Sequence, residues 1–226
     1  MKFIGLNRVL AKKPKLYKWF IVILLTLLGS LAWGCSTGSS DSSTSNSLLQ
    51  DNFSDPNSGW EVAQYDAGEV GYVDGAYFVT STGAGKAMWG LAGKNFTDVS
   101  IEVAASQISG PTNNNNDYGV MCRLSETSGY SFNISGDGFY SIQRMENNSF
   151  TDLVEWAESD KINTGNATNT IKAVCQGSTL SLYVNGNKLA ETTDTTFTSG
   201  DIALATTTYE TETSEIHFDN LVVTQP

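Results

Sequence analysis

An all-β fold, two antiparallel sheets packed face to face, is predicted for most of this 226-residue chain, and three features predict it. Short runs alternate apolar and polar residues, the mark of half-buried strands. Gly, Asn, Asp and Ser punctuate those runs at turn spacing. No stretch carries a convincing helical period. From Asp51 to Pro226 the chain has the length of one β sandwich.

The head of the chain is a targeting device. Lys2, Arg8, Lys12, Lys13, Lys15 and Lys18 come without any acid, and an apolar run from Trp19 to Leu28 follows. A basic region ahead of a short apolar one is the layout of an export signal. The run is shorter than the ~20 residues that cross a bilayer, although extension to Trp33 nearly reaches that length. Ala32-Trp33-Gly34-Cys35 resembles the lipobox of bacterial lipoproteins, with Ala32 where that family prefers Leu and Trp33 where it prefers a small residue. Residues 1–34 then form a lipoprotein signal peptide, Cys35 is the lipidation site, and residues 35–50 are a Ser-rich tether that cannot bury apolar surface. The alternative is an uncleaved signal anchor. Both place the remaining domain, residues 51–226, outside the cytoplasm at the membrane or cell surface.

From Cys35 onward seven Lys/Arg stand against 24 Asp/Glu, a formal charge of −17. That balance excludes a nucleic-acid footprint and a peripheral grip on anionic lipid. It tolerates neutral glycans and Ca²⁺, and it also serves solubility.

Strand by strand, "DVSIEVAASQI" puts Val99, Ile101, Val103 and Ala105 on one face. "YGVMCRL" groups Tyr118, Val120, Cys122 and Leu124, and "YSFNIS" sets Tyr130, Phe132 and Ile134 against Ser131, Asn133 and Ser135. "SGDG" at 135–138 leads into "FYSIQRM", a hairpin. "TIKAVCQGSTLSLYVNGNKLAETT" is a three-strand meander whose Asn185-Gly186 pair supplies the positive φ angles of a tight turn. "GDIALATTT" and "SEIHFDNLVVT" complete twelve to fourteen strands, which need two packed sheets to cover their apolar faces. With Cys35 lipidated, Cys122 and Cys175 remain as a pair in an oxidising compartment. Both fall on the apolar parity of their strands, so a buried disulfide is expected. The single histidine, His217, sits in a terminal strand and reads as an ordinary strand residue rather than part of a nucleophilic triad.

"DNFSDPNSGWEV", "DYGVMCR", "GYSFNISGDGFYSIQR", "NTIKAVCQGSTLSLYVNGNKLAE" and "IHFDNLVV" together resemble the concanavalin A-like lectin/glucanase superfamily. The nearest likeness is to laminin-G-like and 3-keto-disaccharide-hydrolase-like jelly rolls. The resemblance implies a concanavalin A-like jelly-roll sandwich, and a module that serves as lectin, glycosidase, adhesion unit or spacer. The Glu-x-Asp-x-x-Glu and Glu-x-Asp-x-Glu strings of the laminarinase branch are absent. Glu155 and Glu158 of "EWAE" have the wrong spacing, since side chains three apart on a strand face opposite sides.

In such a jelly roll the exposed face of one bent sheet binds glycan. Alternation points Arg123, Ser131, Asn133 and Gln143 away from the core, so Arg123, Asn133 and Gln143 are expected as a polar row over three strands. Amide and guanidinium groups in fixed positions suit paired sugar hydroxyls; the same row is also what any solvated sheet face shows. Trp156 or Tyr140 is expected at the edge as a stacking surface, while Trp60 and Trp89 read as core. The resemblance further allows a Ca²⁺ ion at the rim, with Asp51, Asp55, Asp117 and Asp219 as candidate oxygen donors near turns. No EF-hand spacing is present, and the metal stays unassigned. The leading expectation is a lipid-anchored, noncatalytic module that binds a glycan or wall polymer. A glycoside hydrolase of the 3-keto-disaccharide kind and a spacer without small ligand are the alternatives.

Overall fold

Fifteen strands and no helix make up residues 47–226, the part that this computed structural model describes. The expected signal, Cys35 and most of the expected tether lie outside the described residues. In chain order the strands are β1 (Ser47–Asp51), β2 (Ala63–Tyr65), β3 (Gly68–Val73), β4 (Ala76–Ser81), β5 (Lys86–Leu91), β6 (Val99–Ser109), β7 (Asn116–Leu124) and β8 (Gly129–Ser135). There follow β9 (Phe139–Glu146), β10 (Ser149–Glu158), β11 (Asn169–Gln176), β12 (Thr179–Val184), β13 (Asn187–Thr193), β14 (Asp201–Thr208) and β15 (Ser214–Thr224). The count is one above the expected range. Strand β1 takes up Ser47–Gln50, which the sequence reading gives to the tether: Ser47–Asp51 pairs with the 221–224 stretch of β15, and Leu49 packs against the core.

Every described strand pair is antiparallel. One sheet has nine strands, ordered β13-β12-β11-β6-β15-β4-β3-β2 with β1 added on β15; the other has six, ordered β10-β9-β8-β7-β14-β5. The expected hairpins form, and Asn185 and Gly186 carry φ of 50° and 79° in the tight turn between β12 and β13.

The core lies between the two sheets. Val99, Ile101 and Val103 of β6 and Ile171 and Ala173 of β11 meet Val120, Phe132, Ile134 and Ile142 of the smaller sheet, all essentially without exposure. Each such aliphatic or aromatic side chain contributes about 1.5–3 kcal/mol on burial. At one end Phe53, Trp60 and Tyr77 close the sandwich, with Trp60 5.5 Å from Phe53 and 5.2 Å from Tyr77, as expected of a core tryptophan. Cys122 and Cys175 are buried and bonded, with Cα atoms 6.9 Å apart, and so tie β7 to β11 across the sheets.

Alternation fails at one place that matters. Met121 pairs with Ala203 and Leu124 with Asp201, so three steps on β7 oppose two on β14. This β-bulge puts Arg123 at φ 50° and reverses the parity beyond it. Leu124 therefore leaves the inter-sheet core set and joins a second apolar cluster with Ala87, Trp89, Met121, Met145, Ala203 and Ala205. That cluster lies on the outer face of the six-stranded sheet, the side away from the nine-stranded one.

Candidate functional site

The outer face of the six-stranded sheet can be mapped from its register. Across it, Asp152, Gln143, Ser131, Met121, Ala203 and Leu91 form one row from β10 to β5. The adjacent row runs Ser141, Asn133, Gly119, Ala205 and Trp89, and the next contains Ser135, Asp117, Thr207 and Ala87. Residues of these rows, with Asp117, Ser131, Asn133 and Gln143 on one side and Ala87, Trp89 and Ala205 on the other, line a narrow cleft, polar toward β8–β10 and apolar toward β5. Gly119 sits in the middle of the floor, where an added Cβ would meet the Phe132 carbonyl oxygen at 1.9 Å, so this spot stays open. The small outward residues of β14, Ala203, Ala205 and Thr207, keep the floor low beside it.

The polar half is a directed chain of hydrogen bonds. Ser131 Oγ donates to Asn133 Oδ1 at 2.7 Å, Asn133 Nδ2 to Gln143 Oε1 at 3.0 Å, and Gln143 Nε2 to Asp152 Oδ1 at 2.7 Å. A carboxylate only accepts, so Asp152 sets the orientation of both amides and of the serine hydroxyl. Each amide keeps one N–H and the unused lone pairs of its oxygen. Ser141 Oγ, fully buried on the strand position that pairs with Asn133, has no hydrogen-bond partner.

At the other end, Tyr209 donates to Asp117 Oδ2 at 2.6 Å. Burial pushes the Asp117 carboxyl up to about 6, against hydrogen bonds from Tyr209 and Thr207 that pull it down. The Tyr209 hydroxyl is pushed up by its own burial and by the Asp117 charge, so it is the donor. Tyr209 follows β14 in a loop joined to the asparagine-rich turn before β7, through Tyr209 N to Asn115 O at 3.2 Å. Asn113 and Asn115 both donate to Glu210 at 2.9 Å. Half-buried Phe150, next to Met145 at the far end, gives the cleft a second aromatic edge.

Of the five expected ligand-binding residues, Asn133 and Gln143 stand in the cleft, side by side and bonded. Arg123 does not. The bulge turns it to the end of the sandwich, where it is 3% exposed and donates to the carbonyls of Thr97, Gly177 and Phe197 and to Asp98. Tyr140 is also misplaced by the expectation: it pairs with Ile134 and packs against the inter-sheet core. Trp156 is half-buried on edge strand β10, within the register shift between Val154 and Ala157, and does not line the cleft. Trp89 is buried as expected, but on the cleft side. Asp117, Tyr209, Thr207, Phe150 and Asp152 were not assigned to this face by alternation. The available signal was "DIALATTT", whose outward parity carries only small side chains and so leaves room above the strand.

The candidate Ca²⁺ donors are not gathered. Among the described residues no group of three or more Asp, Glu, His or Cys side chains is placed to hold a metal. Asp51, Asp55 and Asp219 instead accept hydrogen bonds from backbone N–H groups one or two residues on. Asp117 faces the cleft. His217 pairs with Glu215 on its own strand, at 2.7 Å.

Comparison with solved structures identifies the fold. A carbohydrate-binding module of the CBM66 type from Bacillus subtilis superposes with a TM-score of 0.54 at 17% identity, covering 74% of this chain and 96% of the module. A β-glucanase from Bacillus licheniformis gives 0.59 at 14% identity, covering 81% and 99%. A galectin-like protein of unknown function from Bacillus subtilis gives 0.59 at 11% identity, covering 79% and 96%. These likenesses establish the concanavalin A-like jelly roll. Comparison with curated proteins gives no match. Residues 49–224 match the model of the 3-keto-alpha-glucoside-1,2-lyase-like domain, and the chain belongs to that family.

Proposed function

We propose that this chain is a lipid-anchored, extracytoplasmic module that binds a glycan or wall polymer in the cleft of its six-stranded sheet, without cleaving it. The chain Ser131–Asn133–Gln143–Asp152 carries the reading. It presents amide N–H groups and carboxylate oxygens at fixed positions, which suits vicinal hydroxyls that donate and accept at once. Tyr209 and Phe150 supply apolar edges for a sugar ring. Family membership supports a glycan-related role, and the likeness to a carbohydrate-binding module supports binding. The basic head, the lipobox-like Cys35 and the tether support the anchoring.

A glycan array probed with the wild-type protein and with Asn133→Ala and Gln143→Ala tests it. Capture of defined glycans by the wild type, lost in both variants, is the expected result; no capture of any glycan favours the spacer reading. Glycoside cleavage is the second reading, and Asp117 is what favours it. A buried carboxyl held near 6 has the protonation behaviour of a general acid. Turnover of 3-keto-glucosides or β-glucans that disappears in Asp117→Asn would replace the binding reading by this one.

A further inference from the structure

One carboxyl group, Asp117, lines the cleft, a second, Asp152, is bonded to its lining residue Gln143, and no cationic side chain lines it. Asp152 closes the amide chain at one end and Asp117 stands under Tyr209 at the other, while no Lys, Arg or His lines the space between. The basic groups of the six-stranded sheet are directed elsewhere. Arg123 is bound at the sandwich end, and Arg144 is paired with Asp194 at 2.8 Å and Glu146 at 2.9 Å on the other parity of β9. Lys86 begins β5 exposed, with the parity opposite to Ala87 and Trp89. Two acids at one cleft without a counter-ion repel an anionic ligand and attract a cationic one, and low-dielectric walls strengthen both effects.

Resting on the glycan-binding reading, we infer that the cleft selects sugars bearing a free amine, such as residues of de-N-acetylated hexosamine, and rejects uronate, sulfated or phosphorylated glycans. An ammonium has three donors and no acceptor. Asp152 is half-buried and uses one oxygen for Gln143, so its second oxygen is available to receive one donor. The raised Asp117 carboxyl fits this account: burial outweighs its hydrogen bonds, and no positive charge offsets it. Seven Lys/Arg against 24 Asp/Glu from Cys35 onward add a long-range field of the same sign.

The test measures binding of the full chain to matched oligosaccharides that differ only at one ring position: amine, N-acetyl, hydroxyl, and carboxylate. The amine form is expected to bind about tenfold more tightly than the neutral forms, to lose that margin at high salt, and the carboxylate form not to bind. Asp152→Asn keeps an acceptor for Gln143 Nε2 while removing the charge. It is expected to abolish the amine preference, so that the amine and neutral forms bind the variant alike, with an unchanged melting temperature. Equal affinity for amine and neutral forms, or a preference that survives both salt and Asp152→Asn, overturns the inference and leaves the glycan-binding reading standing. Failure of every form to bind, together with an empty glycan array, overturns both.

Discussion

Asn133 and Gln143, on neighbouring strands, share a 3.0 Å hydrogen bond whose direction is set two strands away by Asp152. Because one chain carries both amides, removing either disorders the other. Asn133→Ala and Gln143→Ala should each lower glycan affinity about tenfold, and the double variant should lose much less than the product of the two. Titration calorimetry of the four proteins decides it; additive losses would show that the amides act separately.

Arg123 should prove structural. Its guanidinium satisfies three main-chain carbonyls, whereas its ion pair with the partly exposed Asp98 contributes less. Arg123→Ala should cost about 2–4 kcal/mol, seen as a fall in melting temperature on the order of 10 °C. Lysine should not rescue it, since a single ammonium lacks the planar fork that spans those carbonyls. A variant of full stability with lost glycan binding would return Arg123 to the site.

The Cys122–Cys175 cross-link closes a loop with a sequence separation of 53 and joins the two sheets. Reduction, or replacement of both cysteines by serine, should cost ~2–4 kcal/mol in denaturant unfolding. Intact mass of the purified protein should fall two hydrogen atoms short of the reduced form. Two free thiols would contradict the bond.

Asp117 ties stability to pH with a definite sign. Its folded-state value, about 6, lies above the ordinary 3.8, so the folded protein holds this proton more tightly than the unfolded chain. The contribution is fully present below 3.8, declines as pH rises through about 6, and is absent above. Compared with Asp117→Asn, the wild type should gain on the order of 3 kcal/mol between neutral and acid pH. Parallel stability curves for the two proteins over that interval would place the carboxyl in contact with water.

The proposed anchoring rests on Cys35. Cys35→Ser should release the protein from the membrane fraction or accumulate the unprocessed chain, read by fractionation and N-terminal mass. Full retention with an intact N-terminus would identify a signal anchor.

What the sequence alone determined follows from alternation, which is local physics. Val99, Ile101, Val103, Phe132, Ile134 and Cys175 had to face one way because a strand's side chains alternate and only one face can meet the other sheet. The same rule found Asn133 and Gln143, whose strands run without irregularity through those positions. Tertiary structure decided the rest. The bulge opposite Ile202 depends on how β14 pairs with β7, and pairing between strands that lie far apart in the chain is not written in either one; it alone sends Arg123 to the sandwich end and Leu124 to the cleft side. Trp89 and Ala87 alternate just as core residues do, and only the sheet that β5 joins determines that they face the cleft. Asp117 and Tyr209 are 92 residues apart. They meet because β14 lies beside β7 and the loop after it folds back over the sheet, an outcome of packing rather than of any local pattern.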